Sequence, residues 1–304
     1  MPTPPPLRIG TRGSALALWQ ADFLRDELAR VGRESTREII KTQGDRVQDL
    51  SFDKLEGKGF FTKELEDALL EGRVDVAVHS MKDLPTTGPE GLVLGGVSAR
   101  ANPVDLLLVR AECAVDGRPW RLADDAVVGT SSVRRRTQLL DLRPGLTVRD
   151  LRGNVPTRIG KLRDGQYDAI VLAAAGIERL GLDLSDLHTA ELHPREFVPA
   201  PAQGVLAYQC RADDTATRRL LARIHHAPTA ACTNVERALL RSLDGGCQLP
   251  LGAHCTHDAR GYHLAAAYAP TPDAPLRRAH LSYNTFDGLA TDMLARLREL
   301  APAS

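Results

Sequence analysis

Short apolar runs alternate with helical stretches from Leu7 to Leu180, and this alternation restricts the chain to few architectures. Strands are expected near Leu7–Gly10, Thr36–Ile40, Val74–Val78, Leu106–Val109, Ala126–Gly129, Thr147–Leu151 and Ala169–Leu172. Helices are expected from Ser14 to about Arg30, with Leu16, Trp19, Phe23, Leu24 and Leu28 on one face, and over Thr62–Glu71, Ser132–Leu142, Val155–Arg163 and Ala174–Leu180. Repeated βα units imply α/β domains with mainly parallel sheets. The pattern changes around Ala99–Val104, where Asn102-Pro103 marks a crossover. Pro199-Ala-Pro-Ala-Gln-Gly204 reads as a second crossing strand or hinge. Beyond about residue 215 the order becomes helix, loop, two or three strands and a last helix near Phe286–Leu300, an α+β pattern.

Composition narrows the function classes. The 304 residues balance 39 Lys and Arg against 39 Asp and Glu, and only 4% are aromatic. A nucleic-acid binder usually shows a basic excess and stacking aromatics, so no nucleic-acid partner is expected. No run of 18 apolar residues occurs, so no membrane partner is expected. MPTPPPLRIG lacks the basic and apolar regions of a signal peptide. Five scattered cysteines without a CxxC fit a reducing cytoplasm. Six residues are Lys, five of them between Lys41 and Lys82, in a chain that otherwise uses Arg.

Three strand-to-helix junctions share their ingredients: Gly10-Thr-Arg-Gly-Ser14, Gly129-Thr-Ser-Ser-Val-Arg-Arg-Arg136 and Leu151-Arg-Gly-Asn-Val-Pro-Thr-Arg158. A helix N-terminus presents unpaired N–H groups to an anion, and arginine adds a fork matched to carboxylate or phosphate. Because ligands of open α/β sheets bind at the carboxyl ends of strands, the junctions are expected to face one cleft for a ligand with many negative charges. His79-Ser-Met-Lys-Asp-Leu-Pro85 lies at the same kind of edge, where Asp83 could act as an acid or base or merely form an ion pair in a solvated turn. Gln43 to Phe61, rich in glycine and charge, reads as a long lid-like loop. Near the C-terminal end, Ser242-Leu-Asp-Gly-Gly-Cys-Gln-Leu-Pro-Leu-Gly252 places a thiol, Cys247, in a turn, where packing explains it poorly. Zinc at Cys247, His254, Cys255 and His257 is disfavoured, because adjacent His254 and Cys255 point to opposite faces of a strand; no metal is expected. Pyridoxal phosphate on Lys82 lacks an accompanying phosphate loop.

These motifs resemble the porphobilinogen deaminase (hydroxymethylbilane synthase) family nearly end to end. The resemblance rests on Thr11-Arg-Gly-Ser-Ala-Leu-Ala-Leu-Trp-Gln20, Gly57-Lys-Gly-Phe-Phe-Thr-Lys-Glu-Leu65, Val78-His-Ser-Met-Lys-Asp-Leu-Pro85 and Gly129-Thr-Ser-Ser-Val-Arg-Arg135. It continues through Leu151–Arg158, Ala175-Gly-Ile-Glu-Arg-Leu180 and Gly245-Gly-Cys-Gln-Leu-Pro250. It implies a dipyrromethane cofactor joined to Cys247 by a thioether, to which porphobilinogen units are added head to tail with loss of ammonia. Four additions and a hydrolysis release hydroxymethylbilane. Asp83 matches the catalytic carboxylate. Lys82, Ser131, Ser132, Arg134, Arg135 and Arg158 match cofactor-binding positions. Arg12, Ser14, Gln20, Lys54, Lys58, Phe61, Arg152, Arg179 and Gln203 match positions that hold substrate or the growing chain. Arg136 is a third arginine where two are expected and should point to solvent; Pro156 suits a first helical turn.

The fold implied is two α/β domains like those of periplasmic binding proteins, joined by crossover strands, with a small α+β C-terminal domain. Residues 1–99 with 199–217 would form domain 1, 100–198 domain 2, and 218–304 domain 3. A cytoplasmic monomer is expected. The main rival is a non-enzymatic solute-binding protein, which would share two cleft-forming domains but need neither Asp83 nor Cys247.

Overall fold

The computed structural model describes residues 5–42, 62–243 and 249–300. Lys54, Lys58, Phe61 and Cys247, with the lid-like loop and the turn around the thiol, lie outside the described residues. The chain divides into two compact units, residues 1–101 with 205–230, and 102–204 with 231–304.

The first unit is built on a five-stranded sheet. Its strands are β1 (Leu7–Thr11), β2 (Ser35–Ile39), β3 (Val76–Ser80), β4 (Leu92–Val97) and β10 (Leu206–Arg211), in the order β2-β1-β3-β10-β4. β1 runs parallel to β2 and β3, whereas β10 is antiparallel to both neighbours. Strand alternation then sorts the side chains. Leu7, Ile9, Val76, Val78, Tyr208 and Cys210 face helices α1 (Ala15–Arg30) and α6 (Thr215–Ala222), which supply Leu24, Leu28 and Leu221. Ala77 belongs to the opposite cluster, with Leu65, Ala68 and Leu69 of α2 (Lys63–Leu70).

The second unit holds a mixed sheet and a separate antiparallel one. In the first, β5 (Asp105–Arg110), β6 (Val127–Gly129), β7 (Thr147–Arg149), β8 (Ala169–Ala173) and β9 (Leu187–Leu192) take the order β7-β6-β8-β5-β9. Helices α3 (Val133–Leu142), α4 (Val155–Arg163) and α5 (Ala174–Leu180) cover it. Leu107 and Val109 pack with Leu139 on one face, and Leu106 and Leu108 with Ile159, Leu162 and Ile177 on the other. The antiparallel sheet joins β11 (Leu251–Asp258), β12 (Gly261–Tyr268) and β13 (Arg277–Tyr283). Its core is its own: Val235 and Leu239 of α7 (Ala227–Ser242) and Leu289, Met293 and Leu297 of α8 (Leu289–Glu299) pack on Leu251, Ala253 and Leu264.

Two expectations need correcting. Residues 199–204, read as a crossing strand or a hinge, are turn and irregular backbone, so the strand alternative falls. The crossing strand is β10, whose run Val205-Leu-Ala-Tyr-Gln-Cys210 is wholly buried. Both α/β sheets are also less parallel than expected, since β10 in one and β5 in the other oppose each of their neighbours. No helix among the described residues is long and apolar enough to cross a membrane.

Candidate active site

In the first unit, the carboxyl ends of β1 and β3 open into a pocket lined by Arg12, Ser14, Gln20, Thr62, His79 and Asp83 together with apolar groups such as Leu65 and Val78. Local sequence explains each polar wall. Ser14 has extended backbone, and its hydroxyl accepts from the Ala17 amide at 3.3 Å, so α1 starts at the pocket with its N–H ends toward it. Arg12, half-buried, follows β1 directly. A short 3-10 turn, Met81–Asp83, follows β3. It buries Met81, leaves Lys82 half-buried and exposes Asp83. Nothing among the described residues pairs with the Asp83 carboxylate, the one carboxylate in the described lining. Gln20 is buried and donates to the Ser80 hydroxyl at 2.8 Å.

Sequence reasoning assigned His79 no role, yet it lines this pocket. Burial, opposed by a hydrogen bond to Gln209 and assisted by the Arg12 charge, pushes its pKa down to about 4 from an ordinary 6.5. In the unfolded chain the imidazole binds a proton below about pH 6.5, and in the folded chain it does not until about pH 4, so folding stability falls as pH falls through that window. From this group alone the loss between about pH 7 and pH 4.5 should be about 2 kcal/mol. Urea denaturation at both values checks it: a His79→Gln variant should lose that much less stability than the parent on acidification.

In the second unit the other two junctions adopt the expected caps. The Ser132 hydroxyl accepts from the Arg135 amide at 3.4 Å, and Asn154 Oδ1 accepts from Thr157 at 2.9 Å. Ser131 ties the junctions together, accepting from the Leu151 amide at 3.0 Å. Gly153 turns the chain before α4 at φ +115, where a side chain would be strained and its Cβ would meet Thr157. Arg158 Nε donates to the Gly153 carbonyl at 2.7 Å, and Lys161 donates to the Arg152 carbonyl at 3.1 Å. Arg136 is exposed, and Pro156 lies in the first turn of α4.

Arg134 and Arg135, expected to hold ligand carboxylates, both contact an internal carboxylate. Both are buried around Asp105, which has no exposure. Arg135 donates to Asp105 Oδ1 at 2.7 Å from Nη2 and at 3.2 Å from Nε, and from Nη1 to the Val171 carbonyl. Arg134 Nη1 lies 2.8 Å from Asp105 Oδ2, close enough for an ion pair, while its N–H is aimed at the Val198 carbonyl. Burial alone would raise the Asp105 pKa; the two guanidinium charges outweigh it and hold the carboxyl well below the usual range. Gln203 joins the cluster, donating to Asp105 Oδ1 at 2.9 Å and to the Pro103 carbonyl at 2.8 Å. Its neighbour Ala202 sits at φ +61, a left-handed conformation held by Glu236, which accepts from the Ala202 amide at 2.6 Å. Arg179 donates to the Gly204 carbonyl at 2.8 Å. The structure thus gathers Arg12, Ser14, Gln20 and Asp83 in one place and Ser131, Arg134, Arg135 and Gln203 around neighbouring turns in another. Asp105 was missed although an aspartate heading the run Asp105-Leu-Leu-Leu-Val109 is the visible sign of a buried, paired charge.

A guanidinium, a helix N-terminus and an exposed carboxylate around one pocket are groups suited to an anionic ligand that carries N–H donors. Residues 7–219 match the family model of the porphobilinogen deaminase dipyromethane cofactor binding domain, and residues 230–266 that of the porphobilinogen deaminase C-terminal domain. The porphobilinogen deaminase of Nitratidesulfovibrio vulgaris (strain DP4) is 48% identical over 251 residues, 82% of this chain and 78% of that protein. That of Chloroherpeton thalassium is 44% identical over 262 residues, 85% and 81% of the two chains. Among solved structures, the probable amino-acid ABC transporter extracellular-binding protein ytmK of Bacillus subtilis is similar with a TM-score of 0.45 at 10% identity, over 72% of this chain and 90% of that one. The chain belongs to the porphobilinogen deaminase family. It is an enzyme of tetrapyrrole synthesis that condenses porphobilinogen and uses a dipyrromethane cofactor.

Proposed function

We propose that the pocket at the ends of β1 and β3 is where porphobilinogen reacts, with Asp83 as the catalytic carboxylate. The observation that carries this reading is the exposed Asp83 carboxylate, without a described partner, beside Arg12 and the N-terminus of α1. These groups suit the ligand's chemistry, since each pyrrole ring brings two carboxylates and one N–H. When bound, the dipyrromethane supplies a pyrrole whose free α-carbon can be extended. Arg12 and the Ser14 end of α1 hold side-arm carboxylates of the incoming substrate. Asp83 accepts from its pyrrole N–H and stabilises the positive charge that develops on the ring as the aminomethyl nitrogen leaves with the C–N electron pair as ammonia.

In the second unit, Ser131, Ser132, Arg152 and Arg158 are assigned to further carboxylates. Arg134 and Arg135 set the first turn of α3 through Asp105, and Arg135 would have to leave Asp105 to hold a ligand with the same nitrogens. Lys82, Gln20, Arg179 and Gln203 are kept as neighbours of cofactor or growing chain, and Lys54, Lys58 and Phe61 as parts of a covering loop. Cys247 is the attachment point of the cofactor. The product is hydroxymethylbilane, which places the enzyme among the transferases, and it works as a cytoplasmic monomer. The separate core of the antiparallel sheet supports treating it as a third domain.

A Cys247→Ser variant is expected to accumulate no stable covalent dipyrromethane and no activity, while keeping its far-ultraviolet circular dichroism. Assay of purified protein with porphobilinogen, following ammonia and linear tetrapyrrole together, tests the function itself; porphobilinogen left unconsumed by cofactor-loaded enzyme would refute it.

A further inference from the structure

The reactive pocket has a second acceptor besides Asp83. His79, the last residue but one of strand β3, lines the pocket and lies on the same sheet face as Ala77 and α2. Its Nε2 lies 3.1 Å from Gln209 Oε1, and Gln209 Nε2 donates to Glu66 Oε1 at 3.1 Å. Both links lie on that face, running from β3 through β10 to α2.

The chemistry of this chain of groups fixes its polarity. A glutamate carboxylate only accepts, so Gln209 must turn its amide N–H toward Glu66 and its carbonyl oxygen toward His79. A carbonyl oxygen likewise only accepts, so the imidazole must carry its proton on Nε2. Nδ1 is left as a lone-pair acceptor, and among the described residues it has no partner. Arg12, at the end of β1, disfavours a second proton on the ring, and Asp83 is the other charged group lining the pocket.

We propose that His79 contacts the substrate: the Glu66–Gln209 relay holds its Nε2–H, and its Nδ1 accepts a hydrogen bond from the aminomethyl ammonium of porphobilinogen. This rests on the reading of the pocket given above. The division of labour follows from charge. Asp83 suits the pyrrole N–H, where positive charge grows as the reaction proceeds. A neutral imidazole suits the ammonium, which departs as uncharged ammonia. A carboxylate there would stabilise the starting ammonium more strongly than the departing ammonia and slow its loss. The neutral acceptor orients the arm without that penalty. Gln209 and Glu66 are positioning residues, acting on the substrate only through the ring.

The asymmetry of the imidazole supplies the test. An asparagine amide oxygen can stand where Nδ1 does, whereas a glutamine amide reaches where Nε2 does. If Nδ1 holds the substrate, His79→Asn should keep kcat/KM within about threefold of the parent, while His79→Gln and His79→Leu should lose about 10- to 100-fold. Full activity in His79→Gln, or equal losses in His79→Asn and His79→Leu, would overturn the proposal. A second measurement needs no variant. Nitrogen-15 NMR of the intact cofactor-loaded enzyme should report His79 with Nε2 protonated and Nδ1 bare between about pH 6 and pH 8; the opposite tautomer, or a mixture, would overturn it. Parent enzyme in the same assay separates the two readings, because failure of the parent to consume porphobilinogen counts against the pocket assignment, whereas parent activity with the wrong tautomer counts against His79 alone.

Discussion

Asp83→Asn should lower porphobilinogen turnover by about 10²- to 10⁴-fold and leave the covalent dipyrromethane in place. The substitution keeps the size and shape of the side chain and removes its charge. The carboxylate is exposed at the end of a 3-10 turn that Met81 anchors in the core, so the backbone supporting it does not depend on it. Thermal stability should therefore match the parent. What is lost is the negative charge facing the pyrrole N–H when the ring becomes cationic. Cofactor content by intact mass, melting temperature and single-turnover rate together check this. A variant with parental turnover would remove Asp83 from the mechanism. One that lost turnover and cofactor together would move its role to assembly.

Asp105→Ala should have the opposite signature, a large loss of stability. It leaves Arg134 and Arg135 buried without their shared counter-charge and removes an acceptor from Gln203. Breaking a buried charge cluster from one side costs about 3–5 kcal/mol, a large part of the roughly 5–15 kcal/mol that holds a domain folded. The damage should centre on the first turn of α3 and the turn at Ala202, the two elements that Asp105 joins through Arg135 and Gln203. Cofactor loading should fall with it, since Ser131 and Ser132 sit at that helix start. Chemical denaturation with hydrogen exchange over residues 130–140 and 199–204 checks this. Asp105→Asn keeps one acceptor oxygen for Arg135 and Gln203, without the charge and with a donor turned toward Arg134, and should fall between Ala and the parent.

Much of the fold was legible because local chemistry and tertiary structure agree. Ser14, Ser132 and Asn154 each precede a helical pattern, and each caps the helix that follows. Helices α4 and α5 begin and end where their periodicity and flanking residues place them. The misread element was the second crossing. Prolines at 199 and 201 and the glycine at 204 looked like the crossing itself, whereas the strand that enters the sheet is the buried run just after them. A fully buried run carries no alternation, so the sequence does not say which strands flank it or in which direction. That is also why the mixed character of both sheets was missed.

The site divides the same way. Arg12, Ser14 and Asp83 could be placed together because each lies within three residues of the carboxyl end of β1 or β3, whereas Gln20, inside α1, came only from the family resemblance. The relay through His79 was not, because Gln209 is 130 residues from His79 and 143 from Glu66, and no local pattern marks either pair. Arg134 and Arg135 were found by motif, but their internal partner Asp105 was not. Nothing in Val133-Arg-Arg-Arg136 tells a buried guanidinium held by a strand aspartate from one held ready for a ligand, whereas the exposed Arg136 followed from helical geometry.

The most direct test of the account is the intact mass of the purified protein with peptide mapping, before and after incubation with porphobilinogen. The account predicts an excess equal to two linked pyrrole units, confined to the peptide containing Cys247, with further pyrrole units appearing transiently on that peptide after substrate is added. An unmodified Cys247 that gains no adduct from porphobilinogen, or an adduct on another cysteine, would contradict it.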